Sequence, residues 1–330
     1  MHILMFLAST GRGGAESLVA NLCNQLVKKH KITILVFDES AWIDQLDPEI
    51  ECVSLGRKKS RRNPVLYYSI RKAIQRIKPD LVHVHGAKAA TIFRKLENKL
   101  SVPVVATKHN SRKGKVFDEM EHVVAVSGEV ASTVRHQVPV IYNGVNASQS
   151  YSSDLRQSEF RILAIGRLDR IKGFDVLVSA MQKLPDSAEL QIAGEGEEHE
   201  TLQKQIQELK LEKRVKLLGF RDDVRKLMSQ AHVVVIASRS EGFSLVLVES
   251  FFYANLLLST KVGGADEVLT EPLLFDQDEL SDRLKSVMDD YPYYRALFAE
   301  CCLKHAKNFT VEKMADSYGK YYYQVMNENT

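Results

Sequence analysis

The strongest constraint on this chain is a rhythm in which short apolar runs rich in β-branched residues alternate with helical segments, twice over. In the first half the runs stand at 2–8 (HILMFLA), 32–37 (ITILVF), 80–84 (DLVHV), 102–106 (VPVVA) and 122–126 (HVVAV). Runs apolar at nearly every position suit strands covered on both faces, as in parallel sheets. Leu18, Leu22 and Leu26, four residues apart after Ala15, mark one apolar helix face. The pattern restarts at 161–165 (RILAI), 189–193 (ELQIA), 215–218 (VKLL), 232–237 (HVVVIA) and 256–260 (LLLST), with helices predicted near 174–184, 198–211, 222–230 and 244–254. The last fifty residues read as helical and carry Tyr318, Tyr321, Tyr322 and Tyr323. Two rounds of strand and helix predict two doubly wound α/β domains, which 330 residues are enough to build. The aperiodic polar stretch 146–158 is the expected linker.

Charge separates the halves. Residues 1–150 hold 22 Lys and Arg against 13 Asp and Glu, a net +9, whereas the remainder nets −6. A basic half favours an anionic acceptor, a membrane surface or nucleic acid. The composition, 45% hydrophobic and 26% charged, excludes a disordered or collagen-like chain. No apolar run approaches the ~20 residues of a spanning helix, and Met1–Ser9 reads as a buried strand, not a signal peptide. Cys23, Cys52, Cys301 and Cys302 show no paired spacing, so a reducing cytoplasm is the expected compartment.

Candidate chemistry gathers where strands end. Gly11-Arg12-Gly13-Gly14 follows the first run and precedes a helix. It is either a tight turn or a loop that brings backbone N–H groups to an anion. It is not a dinucleotide fingerprint, because Glu16 stands where the last glycine belongs, and no GK[ST] ending makes it a Walker loop. Gly166-Arg167-Leu168-Asp169-Arg170-Ile171-Lys172-Gly173 offers two cations ahead of a helix, to a diphosphate or simply to solvent. Gly194 and Gly196, and Gly219-Phe220-Arg221, are either ordinary turns or edges that clasp a nucleobase. The sharpest segment is Ser238–Glu249. Glu241 precedes a predicted helix, Gly242, Phe243, Ser244 and Leu245 open it, and Glu249 lies on it among apolar neighbours. A carboxylate there needs a partner, either a cation or a diol that donates two hydroxyls.

Taken together these segments resemble a retaining glycosyltransferase of the GT-B fold, in family 4. The resemblance runs through GGAE (13–16), DLVHVHG (80–86), IYNGV (141–145), GRLDRIKG (166–173), AGEG (193–196), EGFSLVLVE (241–249) and TKVGG (260–264), and Glu241 and Glu249 match the family's E-x7-E signature. The chain departs from the family at Ala254, Leu256 and Asp266, beyond the second glutamate.

The resemblance implies two Rossmann-like domains facing a central cleft. An acceptor-binding domain is expected over 1–148, a nucleotide-sugar-binding domain over 149–308, and a helix over 309–330 returning to the first. It implies that Gly13 and Gly14 lie against the donor. Arg167 and Lys172 would hold the diphosphate beside Gly166, Gly194 and Gly196. Phe220 and Arg221 would lie near the base, and Glu249 would hold the ribose. Glu241, with the backbone of Gly242, Phe243, Ser244 and Leu245, would hold the transferred sugar. His109 corresponds to the family histidine near the anomeric centre; by itself it also reads as a solvated loop residue. His83 and His85 share one strand face and would shape the floor. The implied reaction moves a hexose or N-acetylhexosamine, from UDP in the main and from GDP as the alternative, to a glycan or lipid-linked acceptor. No metal or other cofactor is expected. Arg57, Lys58, Lys59, Arg61 and Arg62 are either a solvated loop or a patch for the anionic inner leaflet; a nucleic-acid partner is not expected. Two rivals share the sheets: a non-catalytic sugar-nucleotide-binding subunit and a nicotinamide-dependent dehydrogenase.

Overall fold

The computed structural model describes residues 1–57, 60–147, 155 and 159–328; the expected linker lies almost wholly outside them, as do Lys58 and Lys59. The chain divides into two compact units, Met1–Asn146 together with Asn308–Thr330, and Ala147–Lys307.

The first unit is built on strands β1 (His2–Leu7), β2 (Lys31–Val36), β3 (Glu51–Ser54), β4 (Leu81–His85), β5 (Val104–Lys108) and β6 (His122–Ala125). They pair in parallel in the order β3-β2-β1-β4-β5-β6, with Ile3 level with Ile32 on one side and Leu81 on the other. Helices α1 (Gly14–Leu26), α2 (Pro64–Ile77), α3 (Gly86–Arg94), α4 (Lys115–Asp118) and α5 (Gly128–Ser132) connect them. Ile3, Leu4, Met5 and Phe6 are all fully buried, which is why β1 shows no polar alternation. Leu18, Leu22 and Leu26 are the buried face of α1.

The second unit repeats the plan. Strands β7 (Phe160–Ile165), β8 (Ala188–Ala193), β9 (Val215–Leu217), β10 (Val233–Ile236), β11 (Leu257–Thr260) and β12 (Leu274–Phe275) pair in parallel in the order β12-β11-β10-β7-β8-β9. Counted within the unit, that is the same strand order as in the first. Its helices are α6 (Phe174–Ala180), α7 (His199–Glu208), α8 (Val224–Gln230), α9 (Leu245–Tyr253), α10 (Leu280–Asp289) and α11 (Tyr291–His305).

The last helix, α12 (Val311–Glu328), belongs to the first unit and packs on α1. Its entry is fixed by a short parallel bridge between Val145 and Thr310. Gly144 makes that approach feasible: a Cβ there would sit 2.3 Å from the Thr310 carbonyl oxygen. Tyr318 and Tyr322 are the buried tyrosines of α12, while Tyr323 stays half exposed.

In sheets wound this way, the chain leaves the central strand in one direction for its first half and in the other for its second. The crevice outside the carboxyl ends at that switch is where ligands bind. In the first unit the switch lies between β1 and β4, in the second between β7 and β10.

Candidate active site

In the second unit the loops after β7 and β10 flank the switch, and each supplies a charge. The chain after β7 makes a short helical turn, Arg170–Lys172, capped by Asp169, whose carboxylate accepts from the amides of Ile171 and Lys172 at 3.0 and 3.2 Å. That turn delivers Lys172, whose Nζ donates to Glu241 Oε1 across 2.6 Å. Ser238 Oγ donates to the same oxygen at 2.7 Å. Both partners are largely covered, with side chains 21% and 14% exposed. Each charge is therefore met by its opposite in a partly dehydrated setting where Coulomb forces are strong. Ser244 is the N-cap of α9, yet its side chain makes no capping bond. The first-turn amides of that helix thus retain their attraction for an anion.

Glu249, one turn along α9, meets Arg225 of α8, with Nε 3.2 Å from Oε1. The Arg225 guanidinium lies 5.2 Å from the Tyr253 ring centroid. Burial raises the Glu249 pKa above the ordinary carboxylate range, opposed by Arg225. Of the two partners that the sequence left open for this carboxylate, the cation is present in the fold.

Other predicted residues lie differently. Arg167 is three-quarters exposed and turns to Asp169 at 2.8 Å. Arg221 is clamped to Asp223 through two bonds of 2.8 and 2.7 Å, and the Phe220 ring stands 65% exposed. At Gly194 and Gly196 packing leaves no room for a side chain: a Cβ would fall 1.8 Å from the Gly166 carbonyl oxygen and 2.3 Å from that of Leu168. Gly242 and Phe243 are buried. The chain also contains an Asp-x-Asp spacing, Asp276-Gln277-Asp278. There Asp276 serves as N-cap of a short helical turn, in a reciprocal box with Glu279.

In the first unit Gly13 is the extended N-cap of α1 and Gly14 its first residue. Glu16, buried in the first turn, accepts from Ser9 Oγ and ties the loop to the end of β1. His109 follows β5. Its turn is braced by the buried Lys108, whose Nζ donates to the carbonyls of Asn110 and Arg112 at 2.6 and 2.8 Å. His109 Nε2 lies 3.1 Å from His85 Nδ1, and the two rings stack 5.3 Å apart. His85 in turn lies against His83, with ring centroids 4.1 Å apart. His83 bonds the Tyr322 hydroxyl and Thr107 Oγ1, each at 2.7 Å, and Thr107 meets the Tyr318 hydroxyl at 2.9 Å. The expected common face of His83 and His85 is thus a ladder of neutral rings ending at His109. Burial lowers all three histidine pKa values, to about 3 for His83 and about 4 for His109.

Two family models match the chain. Residues 12–149 match Glycosyltransferase Family 4, and residues 147–299 match Glycosyl transferases group 1. The chain belongs to the group 1 glycosyltransferases.

The dehydrogenase reading falls with that match. Among curated relatives, this glycosyltransferase is 25% identical to the N-acetylgalactosamine-N,N'-diacetylbacillosaminyl-diphospho-undecaprenol 4-alpha-N-acetylgalactosaminyltransferase of Campylobacter jejuni, over 96% of this chain and 98% of that protein. It is 24% identical to the O-antigen biosynthesis glycosyltransferase WclY of Escherichia coli, over 99% of each. Among solved structures, Anabaena Alr3699/HepE in complex with UDP-glucose aligns with a TM-score of 0.85 at 20% identity, covering 98% of this chain and all of that one. The fold is GT-B.

Arg225, the bond from Ser238 to Glu241 and the His85 contact escaped the sequence reading. Arg225 lies on a predicted helix, but only the fold brings α8 beside Glu249. The signal for His85 was its alternation with His83 on an otherwise apolar strand.

Proposed function

We propose that this glycosyltransferase moves a hexose or N-acetylhexosamine from a nucleoside diphosphate sugar, with UDP as the nucleotide, to a hydroxyl of a lipid-linked or cell-surface glycan. The product class is a lipopolysaccharide, capsule or exopolysaccharide. The observation that carries the reading is the Lys172–Glu241 pair at the switch of the second unit, 2.6 Å long and beside the uncapped start of α9. The names of the Campylobacter and Escherichia relatives support the acceptor class, and the nucleotide in the Anabaena complex supports UDP.

Cleavage of the bond between the anomeric carbon and the diphosphate leaves negative charge on phosphate and oxocarbenium character on the sugar. Lys172 and the first amides of α9 stabilise that charge, because they are fixed before the reaction begins. Arg167, three-quarters exposed, adds a second cation once phosphate draws it from Asp169. Glu241, released from Lys172 by the incoming diphosphate, accepts from sugar hydroxyls, and Glu249 accepts from the ribose. The acceptor hydroxyl attacks from the face that the phosphate leaves; its proton passes to the departing phosphate oxygen, and configuration is retained. His109, matched to the family histidine, offers a neutral ring to a sugar ligand. With protein cations at the phosphate, the reaction needs no metal, and turnover is expected to survive chelation by EDTA.

The basic first half fits work at an anionic membrane surface from the cytoplasmic side. Between Glu51 and Asp80 the chain has no carboxylate and nine Lys or Arg, among them Arg57, Lys58, Lys59, Arg61 and Arg62. Next to them α2 exposes Val65 and Tyr68, 52% and 67% accessible, with Arg71, Lys72 and Arg76 also exposed. Cations beside protruding apolar side chains suit a peripheral contact with acidic lipid. Co-sedimentation with liposomes that contain phosphatidylglycerol is expected, and equal recovery on neutral liposomes would remove this part.

A thermal-shift screen against nucleotide sugars tests the donor, since a ligand that binds only the folded state raises the midpoint by mass action. A UDP-sugar is expected to shift it and to be consumed when a lipid-linked glycan is added. A shift with GDP-sugars alone replaces the nucleotide, and no shift with any sugar nucleotide overturns the reading.

A further inference from the structure

We propose that His85 is a positioning residue that holds His109 in the tautomer carrying its proton on Nδ1. The ring nitrogen left to meet a ligand is then always a donor. The inference rests on the reading of His109 as a sugar-facing residue, and it adds the device that sets which hydrogen-bonding role it plays.

His85 makes one short contact and lacks another. His85 ends β4 level with Thr107 of β5, and the strand register brings its Nδ1 to 3.1 Å from His109 Nε2. A neutral imidazole has one N–H and one bare nitrogen, so in this pair one ring donates and the other accepts. The second nitrogen of His85, Nε2, is buried and has no hydrogen-bond partner among the described residues.

The two arrangements therefore differ in cost. If His109 donated from Nε2, His85 Nδ1 would accept, and the proton of His85 would sit on the buried Nε2 as an unpaired N–H. If His85 donates from Nδ1, its Nε2 is bare, and only an acceptor lone pair is left unpaired. Orphaned buried N–H groups are the rarer and costlier of the two. The second arrangement wins, and it leaves His109 Nε2 as acceptor and Nδ1 protonated. In a histidine pair, the bond made at one nitrogen decides what the other carries.

The surroundings hold His85 in this role. It is 2% exposed, stacked between His109 and His83, and His83 is locked at both nitrogens by Tyr322 and Thr107. The titratable groups against the ladder are His83 and His85 of β4, His109 after β5, and Tyr318 and Tyr322 of α12; Lys108 Nζ spends its bonds on the Asn110 and Arg112 carbonyls. Among the described residues no carboxylate bonds these rings, so nothing there favours a second proton on His85. Through Tyr322, Tyr318 and the two inner histidines, α12 thereby bears on the orientation of His109.

The test is a long-range proton–nitrogen NMR spectrum of the whole protein labelled with 15N-histidine, in which a protonated ring nitrogen resonates far upfield of a bare one. His109, assigned by its loss in His109→Ala, is expected to show a protonated Nδ1 and a bare Nε2 at neutral pH. A protonated Nε2 in the wild-type protein overturns the proposal without any need of a variant. His85→Leu is expected to shift His109 toward the Nε2-protonated form and to lower kcat about tenfold with the donor KM nearly unchanged. His85→Asn, which restores a donor at the place of Nδ1, is expected to recover most of that loss. An unaltered His109 pattern in His85→Leu also overturns it. Full turnover in His109→Ala, with the wild-type pattern as expected, would instead sink the sugar-facing role and leave the hold of His85 intact.

Discussion

The two units wind their strands in the same order, yet they set different polar groups along and beyond those strands. Across β4, β5 and α12 the first buries a neutral set: His83, His85, Thr107, Tyr318 and Tyr322 lie between 0% and 3% exposed, beside the buried Lys108, whose charge is met by two carbonyls. The second keeps ions, Lys172 with Glu241 and Arg225 with Glu249, each with 14–27% of its side chain in contact with solvent. Burying neutral groups costs little once they are bonded to each other, whereas burying ions demands a partner and residual solvation. One scaffold thus carries two chemistries, decided by the side chains set on its strands, helices and loops and not by topology. The ionic set is primed to exchange a protein partner for a phosphate or a diol; the neutral set is built to stay as it is.

The sharpest way to break that contrast is at the ions. Lys172→Ala is expected to lower turnover by about a thousandfold, the scale of losing one fixed stabiliser of transition-state charge. It should also cost some stability, because Glu241 loses its cation while Ser238 remains. Steady-state kinetics on folded protein checks it, and turnover within tenfold of wild type would place the diphosphate elsewhere.

Acid separates the units next. The three ladder histidines, His83, His85 and His109, have folded pKa values pushed down by burial, against an unfolded value near 6.5. Between the folded and unfolded values the unfolded chain binds more protons, so stability is full above about pH 6.5 and falls as the pH drops. The loss is about 1.4 kcal/mol per pH unit for each histidine that stays neutral. Trp42, the single tryptophan, is fully buried in the first unit and reports on it alone. Its urea midpoint is expected to fall steadily from pH 7 to pH 5; a flat midpoint would show that the ladder is not kept neutral.

Glu249→Gln is expected to weaken nucleotide binding about tenfold while leaving the melting temperature nearly unchanged. The amide removes a charge that burial disfavours, and Arg225 keeps Tyr253 and solvent. Calorimetric titration with UDP and a melting curve check the two halves. The smallest effect belongs to the exposed pair Arg239–Asp175, 38% and 50% accessible, where Asp175→Asn is expected to cost under about 1 kcal/mol by thermal denaturation.

Most of the fold was legible because parallel strands covered on both faces must be continuously apolar, as β1 and β10 are. The strands that escaped are β3 and β12, the outer edges of their sheets. Glu51-Cys52-Val53-Ser54 buries one side chain of four, and β12 is two residues long, so neither presents an apolar run. At the site, glycines, cations and carboxylates at strand ends could be read because topology brings strand ends together. Pairings across elements could not. Nothing local to Arg225 announces Glu249, and no spacing announces that His85 meets His109 or that Tyr322 meets His83. Asp276 and Asp278 show the converse, a spacing with chemical associations whose first carboxylate caps a helical turn.

The account rests on the second unit gripping a diphosphate with Lys172. Isothermal titration of UDP into the wild-type protein and into Lys172→Ala, side by side in metal-free buffer, tests it most directly. Binding is predicted in the first and at least tenfold weaker binding in the second. Equal affinity in the two, or no binding of UDP to either, would contradict it.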